Sequence, residues 1–339
     1  MKKVLSLVLI LAMVFCFAAC GSDNGAETAG EDEPVTLVIG NVTADNNPYS
    51  MCLVKAQENL EAMGSTVSLD IQMGGVLGSE TEMCQNVALG IIDACQTADM
   101  STTGVAPKMA FANLPGLFSN YDEMRAAWRE GGFCFNAASE ILAEAGIKLL
   151  GAGDNGFRVI SNSVRPIEKL EDIKGLKIRV PENELLLEIW DKLGAVTCPI
   201  AYGELAAALQ QGTVDGQELY SSFYSMRFDE FQPYLTLINY DYSAMLMYMN
   251  LDKFNSLSEK QQADLMKAFG DAAAWDIEYA EGFYADGLQI MIDETGLQVI
   301  EGTDEMAAQF VEMGKEICHE DKWMNLFGED LVNQLFPEA

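Results

Sequence analysis

The chain has 339 residues, with 52 Asp and Glu against 20 Lys and Arg, for a formal net charge of −32 at pH 7. A surface this acidic repels nucleic acid and anionic lipid, which argues against both as partners. The single histidine, His319, argues against His-based triads, histidine metal sites and proton shuttles, and hence against a hydrolase.

The first element in chain order is a leader. Lys2 and Lys3 precede an apolar run from Val4 to Ala19, too short for a good spanning helix, and this reads as a signal peptide over residues 1–19. The run ends Phe17-Ala18-Ala19-Cys20-Gly21, which is similar to the lipobox of bacterial lipoproteins, with Phe17 in place of the usual aliphatic residue. Acylated Cys20 would then anchor the protein at the outer face of the cell membrane; ordinary cleavage leaving a free Cys20 is the alternative. Ser22–Glu33 carries Gly, Ala, Ser and acids with no apolar period, so residues 20–34 read as a lipidated cysteine and flexible tether. Loss of Lys2 and Lys3 leaves 18 basic residues against 52 acidic ones.

About 305 residues remain, enough for one large α/β body or two lobes. Val35, Leu37 and Ile39 alternate as in a strand. Asn47-Pro48 supplies an N-cap and a first-turn proline for a helix to about Met63. Val67, Leu69 and Ile71 alternate again, and Ser79-x-x-Glu82 is a capping box before a helix ending at Gly90. This strand–helix alternation is the grammar of a parallel sheet with crossover helices. Helices follow at Tyr121–Gly131 and Phe133–Ala145, then a short strand at Ile147–Leu150.

The middle of the chain predicts a second α/β lobe. Strands are expected at Phe157–Ser161, Leu176–Val180, Leu235–Asn239 and Met245–Leu251, with helices at Glu184–Leu193 and Gly203–Gln211. Ser258-x-x-Gln261 is a second capping box, and little interrupts a helix from there to about Glu294. Some 37 residues at 1.5 Å each span roughly 55 Å, more than one lobe, so this helix should cross both. A strand at Leu297–Ile300 and a helix at Asp304–Cys318 close the chain. The division expected is lobe I from 35–156 and 245–284, and lobe II from 157–244 and 285–339.

Several motifs read as structure. Gly151-Ala-Gly153-Asp-Asn-Gly156 matches G-x-G-x-x-G, but β-branched FRVISNSVRP follows where a nucleotide fold needs a helix. The glycines are expected instead to mark a hinge crossing between lobes. Alternating Met245, Met247 and Met249 read as strand core, not metal ligands. Cys52, Cys84, Cys95, Cys134, Cys198 and Cys318 have no C-x-x-C or zinc spacing, and read as buried free thiols, with disulfides as the alternative. Tyr202, Tyr240 and Tyr242 flank turns, where an aromatic serves as core lid or ligand platform. No catalytic cluster, cofactor motif or metal site emerges.

Arg158 in NGFRVIS and Arg179 in GLKIRVP stand apart. Each sits in an apolar, strand-like segment of an acidic chain, and a guanidinium held in such a place needs a carboxylate, from protein or ligand.

From Gly156 to Glu218, through GLKIRVP, AYGE and ALQQGTVDGQE, the chain resembles the DctP-type solute-binding proteins of tripartite ATP-independent periplasmic (TRAP) transporters. GGVLGSETEM, ALGIIDACQ and ANLPGLFSNYDE extend the likeness, which covers roughly Val35 to Pro337. The resemblance implies a two-lobe periplasmic-binding-protein-like α/β fold with a long helix spanning both lobes, and no catalysis. It implies capture of an organic acid and its delivery to a TRAP permease driven by a sodium or proton gradient. It makes Arg179 the carboxylate anchor, Arg158 a second, more variable arginine, and Tyr202 a cleft aromatic. Leu219 stands where sialic-acid-binding members carry an Asn, which points to a smaller or more apolar acid. The loops Asn41–Asn47 and Thr97–Asp99 are expected to face the cleft, with Asn46, Asp99 and Tyr240 as further ligand contacts. Dicarboxylate, sugar acid and 2-oxo acid all remain open. The rival readings are the binding protein of an ATP-driven importer, against which the long helix argues, and a ligand-sensing accessory lipoprotein.

Overall fold

The computed structural model describes residues 32–336. The expected leader, Cys20 and most of the tether lie outside the described residues. The strands are β1 (Val35–Gly40), β2 (Val67–Gln72), β3 (Ala94–Ala98), β4 (Ile147–Phe157), β5 (Ile160–Asn162), β6 (Lys177–Val180), β7 (Val196–Pro199), β8 (Gly216–Gln217), β9 (Tyr234–Leu237), β10 (Tyr242–Asn250) and β11 (Gln298–Glu301). They form two sheets, in the orders β2-β1-β3-β10-β4 and β11-β9-β5-β8-β6-β7. In the first, β1 runs parallel to β2 and β3, while β10 is antiparallel to β3 and β4. In the second, β6 runs parallel to β7 and β8, and β5 is antiparallel to β8 and β9.

Each sheet is the centre of one lobe, and the chain passes between them three times. β4 leads into β5, β9 leads back into β10, and a long helix returns the chain to β11. The helices of the first lobe include α1 (Pro48–Ala62), α2 (Glu80–Ala88), α3 (Tyr121–Trp128) and α4 (Phe133–Glu144); α5 (Glu184–Lys192), α6 (Leu205–Gln210) and α7 (Tyr220–Ser225) belong to the second. After α8 (Leu251–Asn255) comes α9 (Glu259–Thr295), 37 residues without a break. Its Leu265, Ala268, Phe269 and Ala272 pack in one core with α1, β1 and β10. Its Ala280, Tyr284 and Met291 pack in a separate core with α6 and β9. One helix therefore belongs to both lobes, as expected from its length.

Local chemistry sets these boundaries. Asn47 caps α1 by accepting from the Tyr49 N–H, with Pro48 in the first turn. Ser79 with Glu82 and Ser258 with Gln261 form the two capping boxes read from the sequence. Gly296, at φ 72°, ends α9 in the left-handed conformation that glycine adopts without strain. The helices α10 (Asp304–Cys318), α11 (Asp321–Phe327) and α12 (Glu329–Leu335) follow. A Cβ on Gly314 of α10 would lie 2.2 Å from the Pro115 carbonyl, and Lys322 of α11 pairs with Glu184 and Glu188 of α5.

Some expectations need correction. The short strand at Ile147–Leu150 is an 11-residue strand that contains the whole GAGDNG run. Of its glycines, Gly156 has φ 82° beside the passage to β5, but Gly151 and Gly153 are packing positions. A Cβ on Gly151 would meet the Phe269 carbonyl at 3.0 Å, and one on Gly153 would meet Asp276 Oδ2 at 2.6 Å. They are small because α9 lies directly on the strand. The 97–99 segment is not a loop: Thr97 and Ala98 end β3, a fully buried strand whose mixed composition hides its period. β7, α11 and α12 were not expected. The six cysteines are free in the structure, and five are buried.

Candidate functional site

Arg179 lies in β6, flanked by β7 and β8 in the second sheet. Pro181 follows the strand directly, and both Arg179 and Pro181 line the cavity described below. Arg179 is 2% exposed. Its Nε donates to the Ile200 carbonyl at 2.9 Å, and its Nη1 is buried with no partner. Burial lowers its pKa to about 10; Glu218 and Glu80 raise it in part, and Arg158 lowers it further. It stays cationic at neutral pH, but as an under-satisfied buried charge.

Arg158 sits between β4 and β5 and is wholly buried. Its Nε and Nη2 donate to the two carboxylate oxygens of Glu218, which follows β8. Its Nη1 lies 3.5 Å from Met100 Sδ. The Tyr240 hydroxyl donates to Glu218 Oε2 at 2.6 Å, and Trp190 Nε1 donates to the same hydroxyl at 3.2 Å. Burial works to lower the Arg158 pKa, but the Glu218 carboxylate outweighs it and drives the value above the usual arginine range. Arg158 is thus matched by a protein carboxylate, whereas Arg179 is not.

Both arginines line a cavity of about 30 Å³, with Tyr202 and Leu219 from the second lobe and Tyr49 and Glu80 from the first. An adjoining cavity of about 40 Å³ shares Glu80, Arg179 and Tyr202. Small-ligand sites usually enclose about 300–1,000 Å³, so an acid of several carbons enters only if the lobes part. A larger depression of about 590 Å³ lies elsewhere, over β4 and the first half of α9. Its Lys267 pairs with Asp271 at 2.8 Å, and its Arg129 is exposed, so it lacks the buried cation that the smaller cavity has in Arg179.

Two of these lining residues were not singled out by sequence. Glu80 is the first residue of α2; its Oε1 accepts from the Ala98 N–H at 3.0 Å and its Oε2 from Ser101 Oγ at 2.8 Å. Burial raises its pKa, while those hydrogen bonds and both arginines act against the rise. Tyr49, in the first turn of α1, is 3% exposed, and its hydroxyl has no partner. Both stand beside helix-capping motifs, which explained their segments without reference to a ligand.

Three sequence-predicted contacts do not line the cavity. Asn46 is exposed, and the buried neighbour Asn47 serves as the cap of α1. Asp99 is buried and engaged: Oδ1 accepts from the Met100 N–H and Ser243 Oγ, and Oδ2 from the Ala244 N–H. Tyr240 supports Glu218 from behind, with its ring 5.0 Å from that of Phe310.

A family model described as bacterial extracellular solute-binding protein, family 7 (DctP) matches residues 39–322. The chain is 30% identical over 277 residues to the 2,3-diketo-L-gulonate-binding periplasmic protein YiaO of Escherichia coli strain K12, covering 80% of this chain and 83% of that one. The sugar acid binding protein DctPAm of Advenella mimigardefordensis, solved with galactonate, superposes with a TM-score of 0.82 at 26% identity, covering 90% and 97% of the two chains. A TRAP periplasmic solute binding protein of Polaromonas sp. JS666, solved with D-erythronate, gives 0.81 at 26% identity over 88% and 97%.

Proposed function

The chain belongs to family 7 of the bacterial extracellular solute-binding proteins, the DctP type of TRAP transporters, and on that premise we propose that Arg179 is the anchor for a captured organic acid. The observation that carries the proposal is the state of that side chain. A buried guanidinium with an unused Nη1 at a cavity wall is stabilised by an incoming carboxylate, which supplies both the missing charge and the missing acceptor.

The two lobes, from 35–156 with 245–284 and from 157–244 with 285–339, part to admit the acid and close over it. Closure excludes water and strengthens the contact. Tyr202 and Leu219 border the ligand, and Arg158 acts beside Arg179 with its charge held by Glu218. Family members are transport proteins that bind their substrates, and the relatives solved with galactonate and D-erythronate support an acid as the cargo. The acid is handed to a TRAP permease, and acylated Cys20 tethers the protein to the outer face of the cell membrane.

The test is a melting-temperature screen of the mature protein against organic acids, followed by calorimetry on the best hit. An acid at 100 times its dissociation constant stabilises by about 2.7 kcal/mol. Arg179→Lys should weaken the best hit at least ~100-fold, since an ammonium cannot reproduce the planar fork. Unchanged affinity in that variant refutes the anchor.

A further inference from the structure

The charges around the cavity say more than that an acid binds. Arg158 and Glu218 are wholly buried and matched to one another. Arg179 and Glu80 remain. Among the described residues Arg179 forms no ion pair, and its Nη1 is an unused donor. Each Glu80 oxygen accepts one hydrogen bond from the protein. A carboxylate offers about four acceptor positions, so Glu80 keeps capacity for donors from the cavity. Tyr49 adds a buried hydroxyl without a partner.

The walls therefore differ in chemistry. The second lobe presents one unmatched cation. The first presents an anionic acceptor in Glu80 and a hydroxyl in Tyr49, which can donate or accept. An alkyl acid would satisfy the cation but leave the spare acceptor positions of Glu80 and the Tyr49 hydroxyl dehydrated and unfilled when the lobes close. A site built with hydrogen-bonding groups rejects an analogue lacking the matching hydroxyl, because its own polar groups are then buried unpaired. A second carboxylate would face Glu80 with like charge, and Arg158 has no charge left to offer it.

Resting on the assignment of Arg179 as anchor, we infer that the cargo is a hydroxylated monocarboxylate. Its carboxylate sits on Arg179, one hydroxyl donates to Glu80, and another exchanges a hydrogen bond with Tyr49. Dicarboxylates and unsubstituted alkyl acids are excluded. Tyr49 and Glu80 come from the first lobe and Arg179 from the second, so only a ligand carrying both functions joins the two walls.

Calorimetry on the full mature protein tests this with three probe sets: glycolate, D-glycerate, D-erythronate and D-gluconate; acetate, propionate, butyrate and hexanoate as their deoxygenated counterparts; and succinate with glutarate. The best hydroxylated acid should bind at least ~10-fold more tightly than its counterpart and than either dicarboxylate. Tyr49→Phe, which keeps the ring, should weaken that acid ~10-fold and leave the alkyl counterpart unchanged. Glu80→Gln should weaken it similarly and improve succinate relative to it. A dicarboxylate or alkyl acid that equals the best hydroxylated acid, and is itself lost in Arg179→Lys, overturns the ligand class and leaves the anchor standing. Equal losses for hydroxylated and alkyl acids in Tyr49→Phe and Glu80→Gln also overturn it. No binding by any probe overturns both.

Discussion

Glu218 accepts both Nε and Nη2 of Arg158, and neither side chain reaches solvent. Sixty residues separate them in the chain. The pair decides how the cavity treats an anion, because it removes one of two arginines from the count of available charge.

That pair should be a structural necessity as well. Glu218→Gln leaves the Arg158 cation buried without a counter-charge, and breaking such a pair costs roughly 3–5 kcal/mol. Urea unfolding of the acid-free protein should show a loss of that size. Replacing both partners, Arg158→Met with Glu218→Leu, should recover much of it, since two apolar side chains leave no charge behind. A double variant no more stable than the single one contradicts this account.

Arg179 should behave in the opposite way. It has one protein hydrogen bond and an orphaned Nη1, so its burial is a standing cost in the acid-free state. Arg179→Met should therefore raise the melting temperature without ligand while abolishing acid binding, a stability gain at the expense of function. A lower melting temperature in the variant would show that Arg179 stabilises the fold.

The crossing between lobes carries a pH dependence. Asp154, in β4, is buried with Oδ1 accepting from the Tyr242 hydroxyl and the Gly156 N–H, while Asp276 of α9 accepts from its backbone N–H. Burial, ahead of the opposing hydrogen bonds, pushes its carboxyl up from 3.8 to about 6; Arg125 acts to lower it and Glu281 to raise it. As pH rises from about 4 through 6, the unfolded chain gives up this proton first and is favoured, by up to about 3 kcal/mol for two pKa units. Asp154→Asn keeps the Oδ1 acceptor and cannot ionise. Its stability relative to the parent should climb between pH 4 and 7 in urea titrations and then level off. A difference independent of pH would refute the assignment.

Gly216 ties the second sheet to the site. A Cβ there would lie 2.2 Å from the Ser161 carbonyl and 2.8 Å from Asn162 Cβ, because β5 and β8 meet at this residue. Gly216→Ala should force the strands apart, cost about 1–3 kcal/mol, and weaken acid binding through displacement of Glu218 two residues on. An unchanged melting temperature would mean that the two strands yield freely.

Much of this was legible locally. The caps at Asn47, Ser79 and Ser258 depend on residues within four positions of one another, so their order in the chain suffices to place them. The unbroken run from Ser258 set the length of α9, and its length required it to serve two lobes. Arg158 and Arg179 announced themselves as cations in apolar segments. β3 lacks an alternating period because it is short and fully buried, β7 is only four residues long with exposed ends, and Gly151 and Gly153 of β4 are set by α9, which packs on them from more than 100 residues away.

By itself, then, the sequence determined the α/β class, the spanning helix and the presence of two buried cations, each of them a matter of neighbouring residues or chain length. Only the tertiary structure decided which cation is free. Glu218 reaches Arg158 and not Arg179, and Tyr49 and Glu80 arrive from the other lobe, because strand pairing and lobe apposition bring together groups that no local spacing relates.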